Sequence, residues 1–364
     1  MLRALQLPHH GGEWTVPIAL TAGNCVILKP SEKVPLTMWR VARLFAEAGV
    51  PPGVFQIVNG AAATVVALCD SPGVSALTFV GSSGVARSVA EKCHKSHKRV
   101  LALGGAENHL IALPDCDMEA ASHDIVASFA GCAGQRCMAA SVLVLVGETG
   151  ALLDKVVAKA KALQPGTAAG QVGPVINAMA RDHIVSHITK EEKLPGCEIL
   201  LDGRPWADKS PGTWLGPTIV SHSAPPVTGD ENGGSTPGEE VFGPVLKVVK
   251  VGTWQEALAV ENASTFGNAA SVYTSSGAAA EYFQTQFKAG MIGVNIGIPV
   301  PREPFSFGGL YGTRSKYGDF DITGDGAMEF FTNRRKITTK WNLPQAEAGA
   351  GRSGSDQASF VGQI

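Results

Sequence analysis

The sequence predicts an α/β fold with a parallel sheet covered by helices. Three observations carry this. Short apolar runs alternate with amphipathic segments through the first hundred residues, glycine and proline punctuate the junctions, and the alternation resumes after residue 107. In order, NCVILKP (24–30) is a short apolar run, read as a buried strand. Residues 37–48 place Met38, Val41, Ala42, Phe45 and Ala48 on one helical face, and Gly49 and Pro51 end that helix. GVFQIV (53–58) is a second strand and AATVVALCD a short helix. SALTFVG (75–81) is a third strand, the helix VARSVAEKCHKSH follows, and RVLAL (99–103) is a fourth strand. Strands separated by helices are joined by crossovers, so they lie parallel. Such sheets take ligands beyond the carboxyl ends of their strands.

The second series starts at HLIAL. Residues 118–130 form a helix, SVLVLVG (141–147) a strand and 151–163 a helix. VFGPVLKVVKV is strand-rich, WQEALAVENAS (254–264) a helix, NAASVYT a strand, AAEYFQTQF a helix and MIGVNI a strand. EFFTNRRKITTKW (329–341) alternates loosely and reads as a final strand. SAPPVTGDENGGSTPGEE is a long Gly- and Pro-rich loop, and residues 344–364, small and polar, read as a disordered tail.

A chain of 364 residues exceeds what one core usually spans, so two domains are expected. The 45% hydrophobic and 17% charged fractions are those of an ordinary globular protein, and a net charge of −2 gives no broad basic field for nucleic acid. No uncharged apolar run reaches membrane-spanning length, and MLRALQLPHH lacks the features of a secretory signal. Seven cysteines, an odd count scattered through core-like segments, fit a reducing compartment. No CxxC or paired Cys/His spacing suggests zinc, so no metal is expected.

Chemistry concentrates in a few places. Lys29-Pro30-Ser31-Glu32 lies where a strand gives way to a loop, and reads either as a solvated turn or as a grip on ribose hydroxyls. FVGSSG (79–84) runs strand, Gly, two serines, Gly, helix; it reads either as a tight turn or as a phosphate cradle at a helix N-terminus. GCAGQRCMAA (131–140) sets Arg136 directly before Cys137 among small residues. A nucleophilic cysteine needs access and help for its thiolate, and an adjacent guanidinium supplies help and a grip on an anion. The same decapeptide also fits a structural cysteine beside a surface arginine.

The segments LKPSE, FVGSSG, GQRC, EEVFGPV and GVNIGIPVP occur in this order at wide spacing. Together they resemble the aldehyde dehydrogenase superfamily. GQRCMA, GGAENH and IPVPREPFSFGG look like its acylating methylmalonate-semialdehyde dehydrogenase subgroup, and the resemblance runs from about Trp14 to about Trp341. It implies a parallel Rossmann-type cofactor domain over 1–106, incomplete here, and a catalytic thiol domain over 107–318. A C-terminal oligomerisation strand over 319–343 and the tail would complete the chain. It implies NAD, with Lys29 and Glu32 on the adenosine ribose, Gly81 and Ser82 at the phosphates, and Glu240 on the nicotinamide ribose with Phe242 beside it. Cys137 is implied as the nucleophile that becomes an acyl thioester, Arg136 as the cation that orients the carboxylate of a semialdehyde, and CoA as co-substrate. Propionyl-CoA from methylmalonate semialdehyde, or acetyl-CoA from malonate semialdehyde, would be the product.

The sequence also departs from the family pattern. The oxyanion donor of an N-F-P-type motif falls on QLP, so Gln6 takes that place. The family has a further N-terminal segment that supplies strands and an oligomerisation arm; this chain is expected to lack it, and a homo-oligomer, a tetramer, is expected where the segment is present. Loop 223–239 is longer, and Glu107 replaces a lysine. Hydrolysing relatives carry a glutamate base where this chain has Leu103. Two other readings stay open: a hydrolysing aldehyde dehydrogenase for another aldehyde, and an inactive shortened paralogue.

Overall fold

The computed structural model describes residues 10–209, 212–223, 240–302 and 304–339, with side chains from residue 14 and none at 208–209. The tail, Gln6 and nearly all of loop 223–239 lie outside the described residues. In chain order the elements are α1 (His10–Thr21), β1 (Val26–Leu28), α2 (Pro35–Glu47), β2 (Phe55–Ile57), α3 (Ala62–Asp70), β3 (Ala76–Val80), α4 (Ser83–Lys95), β4 (Arg99–Leu103), β5 (Asn108–Ala112), α5 (Met118–Ala130), β6 (Ala140–Val146) and α6 (Gly150–Ala162). They continue as α7 (Ala178–Glu191), β7 (Cys197–Leu201), α8 (Trp206–Lys209), β8 (Thr218–His222), β9 (Val245–Val251), α9 (Trp254–Asn262), β10 (Ala269–Tyr273), α10 (Gly277–Gln286), β11 (Met291–Val294), β12 (Lys316–Gly318) and α11 (Gly324–Phe330).

The α/β expectation holds. The larger sheet has the order β11-β10-β5-β6-β9-β8-β7, parallel except for the β7–β8 pair. Both of its faces are covered, so its strands are apolar on both sides. Leu143 and Leu145 of β6 point with Leu110 and Ala112 of β5 into a core shared with Ile125, Phe129 and Leu152 of α5 and α6. Val142, Val144 and Val146 face the other way, with Ile111, onto Leu258, Phe283 and Phe287 of the α9–α10 side. Helix α5 begins where Asp117 accepts from the backbone N–H groups of Glu119 and Ala120, both at 3.0 Å, which satisfies two otherwise orphaned donors.

Two expectations are corrected. Among the described residues the first four strands form no single sheet: β1 pairs with β2 alone, while β3 and β4 pair with each other and β4 takes β12 antiparallel. A cleft of about 410 Å³, walled by Val26–Leu28 and Ala76–Val80, separates the two pairs. Second, 329–341 contains no strand among its described residues. Phe330 ends α11 fully buried against Leu101 and Phe307, and Arg99 of β4 donates to the carbonyls of Glu329, Phe330 and Thr332 at 2.5–3.0 Å. Those carbonyls are therefore taken by a guanidinium and open no ladder. Residues through Thr332 form one compact unit and those from Asn333 another; the described part of the second has no regular structure.

Candidate active site

The loop that carries the thiol is shaped by its small residues. Helix α5 runs out at Ala130, and the chain turns through Gly131–Gly134 with Cys132 and Ala133 both in the left-handed region (φ 54° and 52°). Side chains larger than these are disfavoured there. Gly134 also has positive φ, and a Cβ on it would lie 2.0 Å from the carbonyl oxygen of Gly243, so only glycine lets the two loops touch. Gln135 locks the turn: its side-chain oxygen accepts from Ile176 N–H at 2.9 Å and its amide nitrogen donates to Pro174. Cys137 then emerges just before β6.

This position corrects one sequence inference. Cys137 and Glu240 stand at the amino ends of β6 and β9, not beyond carboxyl ends. Leu103 ends β4 and Asn108 begins β5, so the linker 104–107 carries the chain from the carboxyl edge of the small sheet to the amino edge of the large one. The linker is tight. Gly104 has no space for a Cβ beside the Arg314 carbonyl, and Gly105 donates to Ser83 Oγ at 2.9 Å and accepts from Ser315 Oγ at 2.7 Å.

Arg136, Cys137, Glu240, Phe242 and Glu107 line one small pocket of about 20 Å³. Cys132 does not line it, which favours Cys137 as the accessible thiol. Glu240 accepts from Ala106 N–H at 3.2 Å, and its carboxylate sits where a Cβ on Gly105 would come within 2.8 Å. Burial pushes the Cys137 thiol up to about 11, and the negative charge of Glu240 adds to the rise. Hydrogen bonds from the N–H groups of Cys137 and Met138, and the charge of Arg136, pull the other way. The site as it stands holds a thiol.

Arg136 does more than the sequence suggested. Its Nη2 donates to the carbonyls of Ala127 (2.5 Å) and Ser128 (3.0 Å), the last turn of α5, where a cation also suits the helix dipole. Its Nε–H is buried without a hydrogen-bond partner among the described residues.

Glu240, Val241 and Phe242 also line a larger cleft of about 530 Å³, whose other wall includes Glu32, Gly81, Ser82 and His183. Ser82 is the N-cap of α4, makes no side-chain cap bond and lines this cleft, so a helix N-terminus uncapped by that side chain borders it. This is the chemistry a phosphate requires. Lys29 is buried, donates to the Gly60 carbonyl at 2.6 Å and lies 3.5 Å from Glu32, but it lines the neighbouring cleft between the strand pairs rather than this one. Phe242 holds a left-handed backbone (φ 52°), an uncommon state for an aromatic residue.

Sequence reading missed a second set of groups. Glu107, in the thiol pocket, accepts from Ser264 Oγ at 3.0 Å and lies 3.9 Å from Lys247. Lys247 in turn reaches Glu191, which also meets His187 and His222 at 3.3 and 3.1 Å. Burial works against the Glu191 charge, but the His222 hydrogen bond and the Lys247 charge hold it down at about 2. Asn108 and Asn268, buried, both reach the carbonyl of Cys137. Their only sequence signal is an isolated Asn at the start of each apolar strand.

Comparison with known proteins gives a consistent picture. The family model described as aldehyde dehydrogenase family matches residues 6–337. Malonate-semialdehyde dehydrogenase 2 of Shouchella clausii is 38% identical over 332 residues, covering 90% of this chain and 66% of that protein. Malonate-semialdehyde dehydrogenase 2 of Geobacillus kaustophilus is 40% identical over 333 residues, with 90% and 67% covered. The crystal structure of methylmalonate-semialdehyde dehydrogenase from Oceanimonas doudoroffii superposes with a TM-score of 0.87 at 37% identity, covering 93% of this chain and 68% of that one. A Sinorhizobium meliloti structure, described as a methylmalonate-semialdehyde dehydrogenase complexed with NAD, gives 0.87 at 34% identity, with 94% and 69% covered. The chain thus spans about two thirds of the length of these relatives. Matched across nearly its whole described length, the chain belongs to the aldehyde dehydrogenase family.

Proposed function

We propose that the protein is an NAD-dependent, CoA-acylating aldehyde dehydrogenase for a short semialdehyde. Methylmalonate semialdehyde, CoA and NAD⁺ would give propionyl-CoA, CO₂ and NADH; malonate semialdehyde would give acetyl-CoA. The observation that carries this is Cys137 in a pocket walled by Arg136 and Glu240, with buried Leu103 at the place of a hydrolytic base. The names of the relatives support the substrate class.

In this reading the Cys137 sulfur adds to the aldehyde carbon and forms a thiohemiacetal. Its oxyanion is met by the Cys137 N–H, with Gln6 as the second donor. NAD, when bound, would supply the hydride acceptor needed to turn this adduct into a thioester. Glu32 and the α4 N-terminus at Gly81–Ser82 would hold the cofactor, Glu240 and Phe242 would place its reactive end, and Lys29 would support Glu32 from behind. Arg136 orients the substrate carboxylate through the donors it keeps free of α5. CoA releases the acyl group, because its thiol is a nucleophile in its own right, whereas water needs a base. Leu103 cannot act as one, and Glu107 is engaged by Ser264 and Lys247.

The same reading makes the working particle a homo-oligomer, a tetramer, where the family's further N-terminal segment is present, in a reducing compartment: the bacterial cytoplasm or the mitochondrial matrix. All seven cysteines being free thiols supports the compartment. The test is product identity with and without CoA. Turnover should require CoA and yield acyl-CoA and CO₂; rapid multiple turnovers to a free acid without CoA would overturn the proposal.

A further inference from the structure

We propose that Asn108 and Asn268 are positioning residues that fix the orientation of the Cys137–Met138 peptide beside the thiol. The inference rests on Cys137 being the nucleophile, but its geometry stands apart from any substrate. Asn108 Nδ2 donates to the Cys137 carbonyl at 2.8 Å and to the Ala139 carbonyl at 2.8 Å. Asn268 Nδ2 donates to the same Cys137 carbonyl at 2.9 Å. Two donors thus converge on one oxygen. They are themselves fixed: Asn108 Oδ1 accepts from Asn268 Nδ2 at 3.2 Å and from Ala269 N–H at 3.1 Å, and the two residues are 3% and 8% exposed.

The strands are built to allow this. The β5–β6 register shifts between Asn108 and His109, so Asn108 pairs with Ala140 while His109 pairs with Val142. The extra residue, Ser141, is a bulge, and bulges re-aim the side chains beside them. Asn108 begins β5 and Asn268 immediately precedes β10, which are neighbours in the sheet, so the clamp rests on two rigid elements.

The consequence follows from the planar trans peptide, in which C=O and N–H point in opposite directions. Pinning the Cys137 oxygen on the sheet side therefore turns the Met138 N–H to the opposite side of the peptide. That N–H lowers the Cys137 pKa, as do Arg136 and the Cys137 N–H, against burial and the charge of Glu240.

The test is alkylation of Cys137 by iodoacetamide, read by peptide mass spectrometry across pH in the absence of aldehyde, NAD and CoA. Asn268→Leu keeps about the size of the side chain and removes the donor without adding a charge. We expect its Cys137 profile to move to higher pH, with a fall of about threefold or more in rate at pH 8.5. Alkylation of exposed Cys25 should not change, whereas a general loosening would move both. A folded Asn268→Leu protein with an unchanged Cys137 profile overturns the proposal. Should that variant not fold, wild-type protein labelled with [1-¹³C]cysteine decides the matter. The infrared difference from labelled Cys137→Ser isolates the Cys137 carbonyl, which should absorb at the low frequency of a doubly hydrogen-bonded amide; the frequency of a free carbonyl would overturn the clamp. Because the assay involves no turnover, failure to oxidise a semialdehyde would count against the proposed function and not against this inference.

Discussion

Replacing Arg136 with leucine separates its two employments. The first is structural: Nη2 holds the Ala127 and Ser128 carbonyls at the end of α5, and losing both bonds should cost about 1–3 kcal/mol of stability. That cost falls on every substrate alike. The second is recognition of the substrate carboxylate, and a lost hydrogen bond to a charged group costs about 1.5–3 kcal/mol. It falls only on substrates that carry the carboxylate, so selectivity should drop by about ten- to a hundredfold. The assay is kcat/KM for malonate semialdehyde and for propanal, in the wild type and in Arg136→Leu, with NAD and CoA saturating. The ratio between the two substrates cancels any structural loss. A variant that loses activity equally on both aldehydes would refute the recognition role and leave Arg136 as a helix cap alone.

Two further outcomes follow from charge. Glu240 raises the Cys137 pKa, so Glu240→Gln should lower it and enlarge the thiolate fraction at pH 8 by up to about tenfold. Iodoacetamide alkylation without cofactor should then accelerate about threefold, since a more acidic thiol is also a weaker nucleophile; a slower or unchanged rate would contradict the charge arrangement. Away from the site, burial pushes Glu261 up to about 7 although Lys288 N–H donates to it at 3.1 Å. A raised folded-state pKa favours folding while the carboxyl is protonated, so this contribution is full below about pH 4.5 and lost by about pH 7. Glu261→Gln should therefore gain up to ~3 kcal/mol over the wild type at pH 8 and little at pH 4.5; equal differences in urea unfolding at both would contradict it.

Much of the fold is legible where hydrophobic period and length agree. The 118–130 helix and the 99–103 strand fall at the residues the structure gives, because a capping Asp117 and an unbroken apolar run mark them. Helix α1 was not legible, since Gly11, Gly12 and Pro17 argue against a helix that neighbouring elements nevertheless hold in place. Helix α7 and strands β7 and β8 were missed for a different reason: their apolar faces are interrupted by Glu191, His187 and His222, polar groups buried in contact with one another and with Lys247. The gap between the two strand pairs has no local signal, since pairing partners are set by distant chain. At the site, motif order brought Cys137, Arg136, Glu240 and Phe242 to one pocket and Glu32, Gly81 and Ser82 to one cleft. The hold of Arg136 on α5 was hidden, because it depends on the left-handed turn at Cys132–Gly134 that folds the chain back on the helix end.

The most direct test of the central claim traps the covalent intermediate. The protein is incubated with NAD and methylmalonate semialdehyde in the absence of CoA, quenched in acid and digested, and each cysteine peptide is weighed. The account predicts an acyl group on Cys137 alone, discharged when CoA is added before the quench. An acyl group on Cys132 instead, or an aldehyde oxidised with every cysteine left unmodified at all times, would contradict it.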